Sequence, residues 1–542
     1  MRFWPHEMAK NLIYPKMSMG DMLRKASSHN ADGTAIIFGD IAISYAQLDK
    51  YTGRFAASLA RIGIVKGDRA ALYLPNTPQF IISYYGILRL GGVVVACSPL
   101  YKERELLHQL NDSEARTIIC LASNQQIVEN VLKDSMIKNV ITVDAEDLLT
   151  ELPSANERDG ISVESHDGLS LRFSDLLQTD SSPVDTEIDP SRDLALLQYT
   201  GGTTGTPKAA MITHRNLVVN AIQFSTWLSF RHDDVHISAL PLFHIYGMTT
   251  SMNAPIYSAS TMVLVHRFEP TRLLETIGRY KPTVFCGVPT MYMALVNHPG
   301  IEKHNLRSIR LCISGAAPLP AEVQRKFEQI TGGRLAEGYG LTEASPVTHV
   351  NPLDDPKNNR MGSIGIPIFD TEAKIVDLET GEKDLISEEA GELVIRGPQV
   401  MLGYWKNPEE TCSSLKCGWL HTGDIAKMDA DGYFHIVDRK KDMINVSGLK
   451  IYPREIEEVL YEHPRVREAC VVGVPDPYRG ERVKGYVVLE PGAQEKTVSD
   501  ELISFCKQRI ADYKVPSELE FILQMPKTSA GKIDRRAFRE KH

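Results

Sequence analysis

Short apolar runs alternate with amphipathic segments through the first 350 residues of the chain. Strand-like runs are predicted at 69–74, 93–96 and 117–120, and helical patterns at 77–90 and 103–111 separate them. Such alternation is typical of a parallel sheet, because parallel strands need crossover connections and are buried on both faces. The pattern therefore predicts an α/β fold for this part of the chain.

Three later regions depart from this alternation. Residues 152–190 are rich in Asp, Glu and Ser, which predicts an exposed surface connection. Between 362 and 404, short β-like pieces separated by Gly and Pro predict a small antiparallel or barrel unit. After a charged cluster at 439–442, mixed strand and helix patterns predict a smaller α+β domain. We therefore expect an N-terminal domain at 1–438 and a C-terminal domain at 439–542.

Composition and charge exclude several classes of function. The chain has 542 residues, 43% of them hydrophobic, which is enough for two or more cores. Its net charge is −9 without a basic block, which argues against a nucleic-acid partner. The eight cysteines include no Cys-x-x-Cys pair, so free thiols in a reducing compartment are expected rather than disulfides or zinc.

Neither a secretion signal nor a membrane-spanning segment is indicated. The most apolar long window, 80–97, is interrupted by Arg89 and by the pair Gly91-Gly92. That composition fits a buried helix, a turn and a strand. These observations predict a cytoplasmic protein without an integral membrane segment.

The most specific candidate chemistry lies at 199–208, which reads Tyr-Thr-Gly-Gly-Thr-Thr-Gly-Thr-Pro-Lys. Glycines let backbone N–H groups approach an anion closely, threonine hydroxyls add donors, and Lys208 adds a positive charge. The spacing differs from the Walker P-loop, which ends in Gly-Lys-Ser/Thr. Segments rich in Gly and Thr are by themselves more often ordinary loops. The complete run, however, predicts a phosphate site.

This run resembles the phosphate loop of the adenylate-forming enzymes, the superfamily of acyl-CoA synthetases, nonribosomal peptide adenylation domains and firefly luciferases. The resemblance covers nearly the whole chain. It implies a large N-terminal domain of parallel α/β subdomains with a small β unit, followed by a smaller mobile α+β domain. It also implies that the β- and γ-phosphates of ATP are held by Thr200, Gly201, Gly202, Thr203, Thr204 and Lys208.

The segment 337–343 looks like a second motif of the same superfamily. The resemblance implies that Thr342 contacts the α-phosphate, that Glu343 binds Mg²⁺ and that Tyr339 lies against adenine. Glu337 and Gly338 then belong to the nucleotide site as well. By itself, the segment is only a turn followed by a helix cap.

Small residues are concentrated at 314–318, which reads Ser-Gly-Ala-Ala-Pro. Gly315, Ala316 and Ala317 match a place where nucleotide or acyl chain passes close to the backbone in related ligases. The alternative is a tight turn without a ligand. His244 could be a general base by residue type, but a carboxylic acid is already ionised at pH 7. We expect His244 to line the acyl tunnel and position the carboxylate, and a hydrogen-bonded core histidine is the alternative.

Candidate residues near the expected domain boundary follow from the same resemblance. Asp424 is the expected ribose ligand, since a carboxylate can accept bonds from two hydroxyls, and Arg439 joins it. Lys441 matches the hinge about which the C-terminal domain rotates. Ser447 and Gly448 would then move in, with Gly448 leaving room for the pantetheine arm of CoA.

Lys532 matches the lysine that bridges the attacking carboxylate and the α-phosphate. Its surrounding sequence has Ala530 where the superfamily often has serine. A lysine near the end of a chain is otherwise a solvated charge.

The resemblance implies an acid–thiol ligase that uses ATP, Mg²⁺ and CoA. The sequence at 198–211 and 403–405 is most like that of long-chain fatty-acid–CoA ligases. A long-chain fatty acid as substrate implies transient contact with a membrane surface. The alternatives are an aryl-CoA ligase of the 4-coumarate type, an acyl-AMP ligase that loads a carrier protein, and luciferase-like oxygenation. A catalytically silent binding protein is a further alternative, but none of the motif residues is lost. Acyl chain length and oligomeric state are left open.

Overall fold

A computed structural model describes residues 4–5, 8–144, 170–178, 186–200, 207–446, 449–490, 495–528 and 533–539. The chain divides into two compact units. The large unit contains Trp4–Glu372 and Arg396–Leu420, and the small unit contains Ala373–Ile395 and His421–His542. The domain boundary expected at 438 stays a prediction.

The helices begin with α1 near the N-terminus, and several start at capping residues that satisfy the first free N–H groups. They are α1 (Met19–His29), α2 (Tyr45–Arg61), α3 (Pro78–Arg89), α4 (Glu103–Ser113), α5 (Gln125–Leu132), α6 (Phe173–Leu177), α7 (His214–Trp227), α8 (Ile245–Met248), α9 (Ala254–Tyr257), α10 (Pro270–Tyr280), α11 (Pro289–Val296), α12 (Ala321–Thr331), α13 (Pro408–Ser414), α14 (Pro453–Tyr461), α15 (Glu495–Lys507) and α16 (Arg536–Arg539). A π-helical segment covers Thr249–Asn253, and 3-10 turns cover Ala122–Asn124, Ile301–Lys303, Thr342–Ala344, Pro356–Asn358 and Asp512–Lys514.

The strands are mostly short and apolar. They are β1 (Thr34–Phe38), β2 (Ile41–Ser44), β3 (Arg69–Tyr73), β4 (Val93–Ala96), β5 (Thr117–Leu121), β6 (Asn139–Val143), β7 (Ser170–Arg172), β8 (Leu194–Thr200), β9 (Lys208–Thr213), β10 (Val235–Ser238), β11 (Thr261–Leu264), β12 (Val284–Gly287), β13 (Leu311–Ser314), β14 (Arg334–Gly340), β15 (Val347–Val350), β16 (Ile366–Pro367), β17 (Glu372–Val376), β18 (Gly391–Arg396), β19 (Gly403–Tyr404), β20 (Leu415–Lys416), β21 (Trp419–Met428), β22 (Phe434–Arg439), β23 (Ile444–Val446), β24 (Leu449–Ile451), β25 (Val466–Asp476), β26 (Gly480–Leu489) and β27 (Glu518–Phe521).

The large unit contains two sheets whose central strands are parallel. The first has the order β19-β9-β8-β4-β3-β5-β6-β7 and is parallel from β8 to β7. The second has the order β16-β15-β14-β13-β12-β10-β11-β1-β2 and is parallel from β14 to β1. Antiparallel strands complete the edges of both sheets. The predicted α/β class is therefore confirmed.

In the small unit, strands β17, β18 and β21 lie side by side, and β22 pairs antiparallel with β21. A second sheet has the order β24-β23-β26-β25, with β27 parallel to β26. Helices α14 and α15 cover one face of this second sheet through a core that includes Ile456, Val471 and Leu502. The other face carries a smaller core in which the ring of Phe538 stacks on Tyr486 at 4.1 Å.

One expectation about the surface is wrong where the structure describes it. The region 152–190 was expected to be an exposed connection, but β7 and α6 lie within it. Phe173, Leu176 and Leu177 are fully buried. Strand β7 pairs with the edge strand β6, so this polar segment still contributes three apolar side chains to the core.

Candidate active site

The expected phosphate loop connects two antiparallel strands. Thr200 at the end of β8 lies opposite Lys208 at the start of β9. The four loop residues Gly201, Gly202, Thr203 and Thr204 lie outside the described residues. The hydrophobic pattern predicts a buried strand at 194–199, before the loop, and a helix at 216–222, after it, but it did not indicate strand β9. The hairpin fixes both ends of the loop.

A second group of candidate residues follows β13 and β14. In the register of these parallel strands, Ser314 pairs with Glu337. Gly315, Ala316 and Ala317 therefore leave the sheet on the same side as the end of β14, which continues into the 3-10 turn Thr342–Ala344. Ligands of open α/β sheets bind at the carboxyl ends of parallel strands. Tyr339 lies on β14, with its ring 5.8 Å from the His349 ring in an edge-to-face arrangement.

A tyrosine side chain explains why Gly315 has no side chain. The Tyr246 hydroxyl donates to the carbonyl oxygens of Gly287, at 3.1 Å, and of Ile313, at 3.3 Å. These bonds hold the ring against Gly315, where an added Cβ would lie 2.9 Å from the ring. The next residue, Ala316, has φ +71°, in the left-handed region. The glycine at 315 is thus required by a close approach within the protein.

The peptide segment before β19 connects the two sheets of the large unit. The backbone N–H of Met401 donates to the Glu343 carbonyl at 2.8 Å, and Leu402 N–H donates to the Met211 carbonyl on β9 at 3.0 Å. Asn216, in the first turn of α7, donates to the carbonyl of Val400 at 2.9 Å. This segment therefore fixes the 3-10 turn of Glu343 relative to β9.

The side chain of Tyr404 also links the two sheets, because it contacts both Glu343 and Lys208. Its hydroxyl donates to Glu343 Oε1 at 2.7 Å, and the Lys208 Nζ lies 5.7 Å from the centre of its ring. Burial and the nearby Glu343 carboxylate raise the pKa of Tyr404 well above its usual range, so the hydroxyl stays protonated and donates. Two residues that the sequence placed in separate motifs, Lys208 and Glu343, thus meet at one aromatic ring.

Lys208 also forms an ion pair that the sequence did not indicate. Its Nζ lies 2.5 Å from Oε1 of Glu410, in the first turn of α13. The Lys208 side chain is 10% exposed and that of Glu410 is 32% exposed. Tyr404 and Glu410 are the functional candidates that sequence reasoning missed. Gly403-Tyr404-Trp405 was used there only as a sign of the family resemblance, and Glu410 was not singled out.

His244 caps α8. Its Nδ1 accepts the backbone N–H of Tyr246 at 3.2 Å. A nitrogen that accepts this bond is not available as a base. The bond matches the alternative of a hydrogen-bonded histidine, and the contact of His244 with the substrate carboxylate stays a prediction.

In the small unit, Asp424 and Arg439 form a pair. They are directly opposite each other on the antiparallel strands β21 and β22, and Arg439 Nε lies 3.1 Å from Asp424 Oδ1. Asp424 is buried and Arg439 is half exposed. The structure therefore brings together the two residues that were expected to contact ribose.

The expected hinge follows β22 directly. Burial and the neighbouring Arg439 lower the pKa of Lys441, although Asp442 opposes this effect. Asp438, on β22, is buried, and burial raises the pKa of its carboxyl to about 6. Of the other expected residues in this unit, Ser447, Gly448 and Lys532 lie outside the described residues.

Arg535 connects the end of the chain to this hinge region. Its guanidinium donates to Glu457, on α14, and lies 3.4 Å from Asp442 Oδ2. Arg539 also pairs with Asp442, at 3.0 Å. Earlier in the chain than Arg535, Lys527 and Ile533 form an antiparallel bridge.

Comparison with known families agrees with this arrangement. Residues 23–405 match the family model described as AMP-binding enzyme, and residues 455–532 match the model of the AMP-binding enzyme C-terminal domain. The chain belongs to the AMP-binding enzyme family. The resemblance inferred from the motifs is thereby confirmed.

Relatives within this family extend over nearly the whole chain. The chain is 41% identical to a long-chain-fatty-acid–CoA ligase of Bacillus subtilis, which covers 99% of this chain and 97% of that protein. It is 39% identical to a ligase of the same name from Salmonella typhimurium, over 96% and 94% of the two chains. A crystal structure of an anthranilate CoA ligase in complex with anthranoyl-AMP is 28% identical, with a TM-score of 0.87 and 98% coverage of both chains.

Two further observations concern membrane-spanning helices and the cysteines of this AMP-binding enzyme. Among the described residues, the structure contains no helix that is long and apolar enough to cross a membrane. All eight cysteines are free, as expected, and six of them are buried.

Proposed function

We propose that the protein is an ATP-dependent acid–thiol ligase that converts a long-chain fatty acid to its CoA thioester through an acyl-adenylate. The observation that carries this proposal is the convergence of Lys208 and Glu343 on Tyr404. A lysine for phosphate and a carboxylate for its metal ion lie there at the ends of two parallel sheets, where ligands of such sheets bind. The relatives that cover nearly the whole chain support the same reaction.

In the first half-reaction, a fatty acid carboxylate oxygen attacks the α-phosphorus of ATP, and the bond to pyrophosphate breaks. Two anions meet in this step, so the site must supply positive charge and hydrogen-bond donors. We assign the β- and γ-phosphates to Thr200, the loop residues 201–204 and Lys208, and the α-phosphate to Thr342. Adenine would lie against Tyr339, with Glu337, Gly338 and the small residues 315–317 around it. His244 would orient the carboxylate.

Glu343 fits a Mg²⁺ ion that arrives with ATP. No group of three or more His, Cys, Asp or Glu side chains that could hold a metal lies among the described residues. Mg²⁺ is commonly bound by one or two carboxylates together with substrate phosphates rather than by an all-protein cage. The single Glu343 carboxylate, oriented by Tyr404, meets that requirement. Bound there, Mg²⁺ would neutralise charge that develops on the phosphates.

The small unit would complete the chemistry. Asp424 and Arg439 would hold the ribose, and Lys532 would neutralise charge on the carboxylate and the α-phosphate. In the second half-reaction, the CoA sulfur attacks the acyl carbonyl, the thiol proton is released to solvent, and AMP leaves. We assign the change between the two half-reactions to Lys441, and the approach of the pantetheine arm to Ser447 and Gly448.

The long-chain fatty acid is favoured over the alternatives by the relatives. The two ligases of that name reach 41% and 39% identity, whereas a feruloyl-CoA synthase of Amycolatopsis sp reaches 35%. Use of an aryl acid, or of a carrier protein as acceptor, is therefore an alternative that the following test can detect.

The test is a product analysis. The purified protein is incubated with ATP, Mg²⁺, CoA and a panel of short, medium, long and aromatic acids, and products are identified by mass spectrometry. Long-chain acyl-CoA is expected. Aryl-CoA would overturn the substrate, acyl-AMP without thioester would overturn the acceptor, and no adenylate from any acid would contradict the reaction itself.

Lys532→Ala separates the two half-reactions. We expect adenylation to fall about 10²- to 10³-fold, because one charge-stabilising group at the reacting phosphate is removed. Thioester formation from supplied acyl-AMP should be largely intact. An equal loss in both half-reactions would contradict the role assigned to Lys532.

We also propose that the protein works in the cytoplasm and takes its substrate from a membrane surface by transient contact. Eight free cysteines fit a reducing compartment. Absence of binding to liposomes in a flotation assay would contradict the membrane contact.

A further inference from the structure

The ion pair between Lys208 and Glu410 involves the lysine to which the proposed function assigns ATP phosphates. The two side chains are 2.5 Å apart and mostly shielded from water, with exposures of 10% and 32%. Within the described part of the chain, no carboxylate other than Glu410 pairs with Lys208.

The position of Glu410 is fixed by strand pairing and by a helix cap. Tyr404 on β19 lies opposite Ala210 on β9, two residues after Lys208. The chain then turns at Lys406, which has φ +53°, and starts α13. Asn407 caps this helix, and its Oδ1 accepts the N–H of Glu410 at 3.0 Å. The Glu410 carboxylate therefore reaches Lys208 from a backbone that is bonded at both ends of the turn.

This cap region is also anchored to Tyr404. The Thr411 hydroxyl oxygen accepts the backbone N–H of Tyr404 at 2.9 Å, and the hydroxyl donates to the carbonyl of Asn407 at 2.8 Å. The backbone at Glu410 is consequently held by several hydrogen bonds, and its side chain extends from this fixed position to Lys208.

A phosphate group that contacts Lys208 must do so beside the Glu410 carboxylate or in its place. Two anions at one ammonium repel each other, and shielding from water strengthens that repulsion. If phosphate takes over the ammonium, Glu410 can turn outward to water at little cost, because a third of its side chain is already exposed.

We propose that Glu410 is a counter-charge that competes with the nucleotide phosphates for Lys208, and that it thereby weakens ATP binding and assists the release of pyrophosphate. This inference rests on the proposed function, since it requires phosphates at Lys208. Glu410 neutralises Lys208 whenever phosphate leaves, so departure of pyrophosphate does not leave a shielded ammonium uncompensated. Glu410 is a positioning residue in this scheme, because it acts through Lys208.

The test measures nucleotide binding directly. Binding of the α,β-methylene analogue of ATP, which cannot be cleaved between these phosphates, is measured with Mg²⁺ by isothermal titration calorimetry. The variants are Glu410→Gln and the matched control Glu409→Gln. Glu409 is exposed, belongs to the same helical turn and carries the same charge. Glu410→Gln should bind the analogue roughly fivefold more tightly than wild type, as expected for a modest coupling. Glu409→Gln should bind it as wild type does.

A variant that lacks the Lys208 ammonium shows whether Glu410 affects nucleotide binding through this lysine. In Lys208→Gln, the further change Glu410→Gln should give no gain in affinity, because the shared ammonium is absent. A thermal melt adds a readout that is independent of catalysis. Without nucleotide, Glu410→Gln should melt below wild type, and the analogue should raise its melting temperature by more than that of wild type.

The outcomes distinguish this inference from the proposed function. Unchanged or weaker binding by Glu410→Gln, while wild type binds the analogue, overturns the inference and leaves the ligase function in place. An equal gain in Glu409→Gln or in the Lys208→Gln background also overturns it, because general electrostatics would then be the cause. Failure of wild type to bind the analogue or ATP contradicts the proposed function, and the inference falls with it.

Discussion

The charged groups around Lys208 and those around the hinge are built differently. In the large unit, Lys208 has one carboxylate partner, Glu410, and that partner is partly exposed. In the small unit, Arg535 pairs with both Glu457 and Asp442, and the side chains of these two acids are 10% and 7% exposed. An ammonium group that has a single carboxylate partner can exchange that partner for a substrate phosphate. A planar guanidinium that bridges two buried carboxylates holds its partners in place.

Asp438, on the strand before the hinge, is also held by more than one hydrogen-bond donor. Its two carboxylate oxygens accept the backbone N–H groups of Arg439, at 2.7 Å, and of Arg454, at 2.9 Å. The contact at Lys208 can exchange and therefore suits binding and release of nucleotide, whereas the multiply bonded contacts in the small unit suit support of the hinge. Three variants test this difference.

The largest expected effect comes from Arg535→Met. Loss of the guanidinium leaves the buried Glu457 without the cation that it pairs with, and it leaves Asp442 paired with Arg539. Unpairing a buried carboxylate typically costs about 3 kcal/mol or more, so the free energy of unfolding should fall by that amount in denaturant titrations. The control is Arg482→Met, which breaks a more exposed pair with Glu518 in the same unit and should cost about 1 kcal/mol or less. Equal losses in both variants would show that burial of the paired carboxylates does not decide the stability cost.

A smaller effect should follow from the pH dependence of Asp438. Burial raises its folded pKa from 3.8 to about 6, although charge from Arg535 and the two backbone N–H groups oppose this. An acid with a raised folded pKa stabilises the fold fully below the unfolded pKa, and that contribution is lost as the pH rises through 6. A change of two units corresponds to about 3 kcal/mol at most.

Asp438→Asn tests this sign. The free energy of unfolding of wild type, relative to the Asn variant, should decrease between pH 4 and pH 7. Denaturant titrations at several pH values measure the difference, and a difference that stays constant or grows would show that the Asp438 pKa is not raised.

The smallest expected effect is that of Tyr404→Phe. The variant removes one hydrogen bond to Glu343, worth about 1 kcal/mol, without removing the ring beside Lys208. We expect the Mg²⁺ concentration for half-maximal adenylation to rise roughly fivefold, and binding of Mn²⁺ in the presence of the ATP analogue to weaken similarly by magnetic resonance. Tyr280→Phe, which removes an exposed hydroxyl bound to the Gly39 carbonyl, is the control. Equal Mn²⁺ affinity in wild type and Tyr404→Phe would show that this hydroxyl does not orient Glu343.

Much of the fold could be predicted because its signals are local. The apolar runs at 69–74, 93–96 and 117–120 correspond to β3, β4 and β5, and the helical patterns between them correspond to α3 and α4. Strand β9 was not predicted, since its apolar residues follow a phosphate loop and its pairing with β8 and β19 depends on distant chain. The segment β7–α6 was missed because the surrounding composition is acidic, while its three buried side chains are decided by packing.

The same division holds for the candidate site. The motif residues Thr200, Lys208, Thr342 and Glu343 could be named from the sequence because each lies in a short characteristic string. Glu410 could not be found, because its partner is 202 residues earlier in the chain and no local pattern links them.

Short-range periodicity and motif spacing were enough to establish the α/β class, the family and the residue types available for phosphate chemistry, because that information lies in the order of neighbouring residues. Tertiary structure alone decided that Lys208 and Glu343 share Tyr404, that Lys208 pairs with Glu410, and that Arg535 bridges two carboxylates. Each of these contacts joins residues distant in sequence, and it forms only where strand register and helix caps fix the separation of two charged groups.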